Sequence, residues 1–136
     1  MDNILKAIYG KLSGSTLSTD VGGRVYLDEA PQGCQFPYIV FFVVTAVPDK
    51  TFTEHYTDTV IQFSIFSSSS SGVEISGIYK DLKALYDDCT FTITSNHLVW
   101  MREQNLTTMI NEVTTADGLQ TVKHWAVDFE IKTSLD

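Results

Sequence analysis

Two cysteines, three histidines, three prolines and nine basic residues are all that the 136-residue chain holds of those types. Each shortage removes a class of function. Cys34 and Cys89 are too few for a disulfide scaffold and form no C-x-x-C pair, so they read as reduced, small apolar residues. His55, His97 and His124 stand singly, without H-E-x-x-H or calcium-loop spacing, and a metal site would need ligands gathered from distant segments. No P-loop and no G-x-G-x-x-G occurs, because Gly22-Gly23 precedes a strand pattern rather than joining a strand to a helix. No run reaches the roughly 18 apolar residues of a membrane span. The start Met1-Asp2-Asn3-Ile4 lacks the basic and apolar segments of a secretory signal, so the chain is expected to be soluble and unsecreted. Asn105-Leu106-Thr107 fits a glycosylation acceptor, a chance match in an unsecreted chain.

Positive charge is scarce and scattered. Lys80 and Lys83 come nearest to a cluster, and Asp81, Asp87 and Asp88 stand beside them. With 17 acidic against 9 basic residues the formal net charge is -8, which repels a nucleic-acid duplex or an anionic membrane.

What the chain does hold is 43% apolar residues in ordered patterns, in a length suited to one domain over residues 1–136. Ile4, Leu5, Ile8 and Leu12 fall at helical spacing, which predicts a short amphipathic helix over 3–12. Leu17 to Gly23 reads as a polar, Gly-rich connection. Arg24 to Leu27 reads as a short strand, and Asp28 to Gly33 as turns. Tyr38 to Val44 is an unbroken apolar run, expected as a central strand covered on both faces. Thr45 to Asp58 reads as a long hairpin loop before a strand at Val60–Ser67, whose Ile61, Phe63 and Ile65 share one side.

Five serines, Ser67 to Ser71, lead into the firmest helical stripe of the chain: Ile75, Ile78, Tyr79, Leu82, Leu85 and Tyr86. Ser71 and Glu74 are spaced as a capping box, predicting a long helix at about 72–87 that packs on the sheet. Strands are then expected at Phe91–Thr94, Leu98–Arg102, Leu106–Val113 and Thr121–Thr133, the last pair joined across Ala116-Asp117-Gly118. Trp125, Val127, Phe129 and Ile131 alternate with His124, Asp128, Glu130 and Lys132, so one face of the last strand is core and the other meets water or a partner. The fold class is α+β: a largely antiparallel sheet with the long helix and the short N-terminal helix on one face.

No catalytic, cofactor-binding or metal-ligating residues emerge. The histidines are expected in a loop, a turn and a wet strand face, and Cys34 in a turn. Asp87 and Asp88 oppose the macrodipole at a helix C-terminus, expected as a solvated, frayed end or as a pair compensated by a basic partner in a complex. The serine run is expected to be a flexible approach to the helix. The candidates for a protein interface are Asp49, Lys50, Phe52, Glu54, His55 and Tyr56, because a long loop with aromatic residues at its tip suits contact better than chemistry.

Several segments in order resemble the tail-completion or tail-terminator proteins of long-tailed bacteriophages. They are Val21-Gly22-Gly23-Arg24-Val25-Tyr26, Ala30-Pro31-Gln32-Gly33, Phe36-Pro37-Tyr38-Ile39-Val40, the strand Val60–Ser67 with a helix after it, and Trp125–Ile131. The resemblance is strongest over 21–89. It implies a virion protein at the head-tail junction, with no enzymatic activity and no cofactor. It further implies self-assembly into a ring, typically a hexamer, that caps the tail tube, stops its polymerisation and docks the head connector or neck protein after assembly in the host cytoplasm. An acidic lumen would let DNA pass without specific binding. Two other readings stand beside it: a small-ligand or peptide-binding α+β module with its pocket between long helix and sheet, and a hydrolase working through Cys34 or a histidine.

Overall fold

A computed structural model describes residues 2–50, 55–69, 71–93, 97–115 and 118–134. The first helix, α1 (Asp2–Leu12), buries Ile4, Ile8 and Leu12 along one stripe, as their spacing predicts. Gly14, at a φ of 77°, reverses the chain, and the Ser15 hydroxyl caps a second helix by accepting the Ser18 N–H at 3.2 Å. This helix, α2 (Thr16–Asp20), replaces the polar connection expected there. Its anchors Leu17 and Val21 are four residues apart and fully buried, too sparse a pattern to announce a helix from sequence.

Five strands form one sheet in the order β1-β2-β3-β5-β4. They are β1 (Val25–Leu27), β2 (Tyr38–Lys50), β3 (His55–Ser67), β4 (His97–Thr115) and β5 (Gly118–Ser134). Only β1 runs parallel to its neighbour. The middle strand is β3, not the apolar run in β2. In β2 the face carrying Ile39 and Phe41 is buried under the helices, while Tyr38 and Phe42 on the other face are half-buried. The expected loop over 45–58 is largely strand: pairing continues from Thr45↔Val60 to Lys50↔His55 after a bulge at Val44. Backbone ladders carry this extension, which is why no hydrophobic alternation marks it.

Leu98–Arg102 and Leu106–Val113 are parts of one strand, β4, with register shifts between Leu98 and Trp100 and between Glu103 and Asn105. Of the strand expected at Phe91–Thr94, the described residues Phe91 to Ile93 show only an isolated bridge at Ile93, and Thr94 lies outside the described residues. The β4–β5 ladder runs to Thr115↔Gly118, so the expected turn falls at Ala116 and Asp117, also outside the described residues.

The third helix, α3 (Val73–Tyr86), has 14 residues and is shorter and differently capped than expected. The Ser71 hydroxyl accepts the Val73 N–H at 3.2 Å, but Glu74 turns away to accept the Ser67 hydroxyl at 2.7 Å, so the reciprocal half of the box is missing. At about 21 Å, α3 spans well under half of β5, which at 17 residues runs about 56 Å. It is therefore not a long helix on the scale of its sheet, and part of the sheet extends past it. Ile75, Ile78, Leu82 and Tyr86 are buried against Phe63 and Phe129. The Phe63 ring sits 5.0 Å from Tyr86 and 5.6 Å from both Phe41 and Phe129. Helices and sheet share one core cluster on one face of an α+β fold.

Candidate functional site

The six interface candidates divide between the ends of two strands and a segment outside the described residues. Asp49 and Lys50 close β2, His55 and Tyr56 open β3, and the ladder pairs Asp49 with Tyr56 and Lys50 with His55. Phe52 and Glu54 lie outside the described residues. His55 is exposed, and Tyr56 is half-buried with the Lys132 ammonium 5.0 Å from its ring centre. The hairpin is not a free arm along its length, because β5 flanks β3 as far as Tyr56↔Ser134.

The remaining polar candidates have structural partners. His97 begins β4 opposite Ser134, in a strand rather than the expected turn. His124 is on the face away from the helices, as its alternation predicts, but half-buried there: its ring stacks on Phe66 at 4.3 Å, its Nε2 is buried without a protein partner among the described residues, and burial lowers its pKa. Cys34 and Cys89 are free thiols, the first 3.4 Å from the Tyr26 hydroxyl and the second pushed up by burial. Asp87 does not fray: its carboxylate accepts the Glu103 N–H at 2.9 Å. Asp88 adopts a φ of 54° and donates its N–H to the Met101 carbonyl at 2.8 Å. In the serine run, Ser67, Ser69 and Ser71 are organised as well. The hydroxyls of Ser67, Ser69 and Ser71 accept from the N–H groups of Ser69, Ser71 and Val73 in turn.

The gap between α3 and the sheet, where a ligand pocket was the competing expectation, is filled by the core cluster. Among the described residues no group of three His, Cys, Asp or Glu side chains is placed to hold a metal ion. No helix there is long and apolar enough to cross a membrane.

Three surfaces stand out instead. The β4–β5 hairpin continues past Ser67↔Lys123, where β3 ends, and carries Asn111–Thr115 and Gly118–Val122 forward as a two-stranded arm about 17 Å long. On the helical face of this arm and its root, opposite Lys123 and Thr114 respectively, Ile110 is 71% exposed and Leu119 74%. At the other edge of the sheet, Leu5, Tyr9, Leu27 and Phe41 line a groove of about 460 Å³ between α1 and β1–β2, with Lys6 also on its lining. On the face away from the helices, the rings of Phe36, Tyr38, Phe66 and His124 form a row with successive centres 5.3, 4.8 and 4.3 Å apart. Asp28 and Glu29 rim a hollow of about 440 Å³ beside it. Sequence reasoning missed the arm because Ile110 alternates as a core residue does, and only the end of β3 reveals that no layer of the described residues covers it.

Comparison with known proteins supplies the context. The family model for tail completion protein gp17 matches residues 6–134. A chain from the solved virion of a native gene transfer agent particle superposes with a TM-score of 0.76 at 15% identity, over 95% of this chain and 92% of that one. A second solved chain superposes with a TM-score of 0.53 at 16% identity, over 96% of this chain and 94% of its own. No curated protein sequence matches. At such identities the structural likeness is one of fold.

Proposed function

The chain belongs to the tail completion protein gp17 family, structural proteins of phage tails, and from that membership we propose that copies of it close the end of a finished tail tube. In this reading the copies join into a hexameric ring at the head-tail junction. One face of the ring stops tube polymerisation and the other receives the head connector. Assembly takes place in the host cytoplasm, and the protein acts by contact without turning over a substrate. The observation that carries the reading is that the family match spans 6–134, so the whole fold is the shared object and not a grafted motif. The net charge of -8 supports a lumen that lets DNA slide, since phosphates find few cations to bind.

The β2–β3 tip, with Asp49, Lys50, Phe52, Glu54, His55 and Tyr56, is the contact proposed toward the tube or connector. Aromatic residues at such a tip anchor protein contacts well. Tail-tube protein polymerised with the wild-type chain should give tubes of limited length with a terminal collar in electron micrographs. The double variant Phe52→Ser with Tyr56→Ser should keep the wild-type circular dichroism yet leave most tubes uncapped. Equal capping by that variant removes the tip from the interface. Tubes that grow unchecked beside the wild-type protein reject the capping function itself.

A further inference from the structure

We propose that the β4–β5 arm docks into the α1 groove of a second copy of this chain, giving a head-to-tail contact through Ile110, Leu119 and Glu112 of one copy and Leu5, Lys6, Tyr9 and Leu27 of the next. The inference rests on the assembly reading above and names the two surfaces that the ring would use. Both features lie on the helical face of the sheet, at opposite edges: the arm follows from β5 and β4, the groove from β1 and β2. The arm exposes Ile110 and Leu119 on its helical face because α3 stops short of it and β3 ends at Ser67. The groove is open because α1 leaves Tyr9 half-exposed at 50% and Leu27 at 45% over the buried Phe41. Among the described residues, one molecule therefore carries an apolar projection and an apolar recess that no other segment fills. Such a pair on different patches produces heterologous contacts that close into rings or run on as filaments.

Charge fits the same pairing. Glu112 lies on the arm face that holds Ile110, two residues along the strand and opposite Thr121. Lys6 is the cation on the groove lining. Docking would place a carboxylate against an ammonium at the edge of an apolar contact, which fixes its register. The groove's Phe41 lies level with Val127 through Phe63, whereas Ile110 lies level with Lys123. The projection and recess are thus offset by four residues of β5, about 13 Å along the strands. A closed ring then requires strands inclined to the ring axis.

The test uses the full chain by sedimentation and light scattering up to millimolar concentration. Wild type should form a species larger than a dimer. The arm variant Ile110→Asp with Leu119→Asp and the groove variant Leu27→Asp should each be monomeric with wild-type circular dichroism. An equimolar mixture of the two retains one good arm and one good groove, so it should give a one-to-one dimer that grows no further. A gentler pair guards against misfolding: at about 0.15 M salt, where repulsion between whole copies is largely screened, Glu112→Lys or Lys6→Glu alone should weaken association about threefold, and both together in one chain should restore it. A wild type that stays monomeric throughout, a closed wild-type dimer, variants that assemble normally, or a charge swap without rescue would each overturn the contact. Rings that form through this contact yet fail to cap tubes would reject the proposed function and leave the contact standing. Capped tubes with unaffected variants would do the reverse.

Discussion

Asp20 and Asp81 meet between α2 and α3, and the hydrogen bond between their carboxyls, with some burial and like-charge repulsion, pushes Asp20 up from 3.8 to about 6. The folded chain then holds a proton that the unfolded chain has released between those values. Stability from this site is therefore present at low pH and lost as pH rises toward and through about 6. Asp20→Asn is expected to raise the unfolding free energy near neutral pH, by only a few tenths of a kcal/mol because the site is largely exposed, and to change nothing near pH 4. Melts at both values check it, and an equal shift at both would contradict the pairing. His124 behaves in the opposite sense. Burial holds its folded pKa below 6.5, so the unfolded chain binds the proton first and stability falls as pH drops through the histidine range. His124→Phe keeps a ring on Phe66 and should flatten the fall as pH drops below about 6.5 in denaturant titrations. Neither effect was legible in the sequence, which shows His124 on a polar stripe and two aspartates 61 positions apart, with nothing to say what covers or faces them.

At the scale of elements, α3 is tied to α1 as well as to the sheet. The buried Tyr86 hydroxyl near the end of α3 donates to the Ile8 carbonyl of α1 at 2.7 Å, and burial raises its pKa far above the ordinary tyrosine range. Tyr86→Phe leaves that carbonyl in the core without this donor and should cost about 1–2 kcal/mol of unfolding free energy. Denaturant curves with unchanged slope check the value, and a neutral substitution would mean that water reaches Ile8. A second joint lies at the β4 bulge. Glu103 accepts the Tyr79 hydroxyl at 2.5 Å, pairs with Lys83 at 3.1 Å and donates its N–H to Asp87 at 2.9 Å. The helices α1 and α3 and the alternation in β5 were readable because buried side chains recur there at one period. Helix α2 was not, having only Leu17 and Val21 to signal it. The distal half of β2 was not either, since its order comes from ladders to β3 and, through β3, to β5. The bulge divided β4 into two apparent strands, because a register shift breaks the very alternation from which strands are read.

For the whole molecule, the α+β class and the family were legible in the sequence, while of the surfaces proposed for assembly only the β2–β3 tip was read there and the arm and groove were not. Of the six interface candidates, His55 and Tyr56 have described side chains, and the hairpin bearing them is flanked by β5 for most of its length. The freer arm at the other end depends on where β3 stops relative to β5, a relation between strands that no single segment encodes. Assembly of such molecules sets two electrostatic effects against each other. Each copy brings a net charge of -8, and the proposed Glu112–Lys6 contact contributes one surface pair. An exposed pair is worth about 1 kcal/mol at most. Repulsion among several like-charged copies acts over the Debye length, which shrinks from about 30 Å at 0.01 M salt to about 8 Å at 0.15 M. The repulsion outweighs the single pair, so self-association should strengthen with added salt across that range and then level off as apolar burial takes over. Light scattering at fixed protein concentration along a sodium chloride series checks this. Association that weakens steadily with salt would mean that opposite charges, and not Ile110 and Leu119 in an apolar groove, hold the copies together.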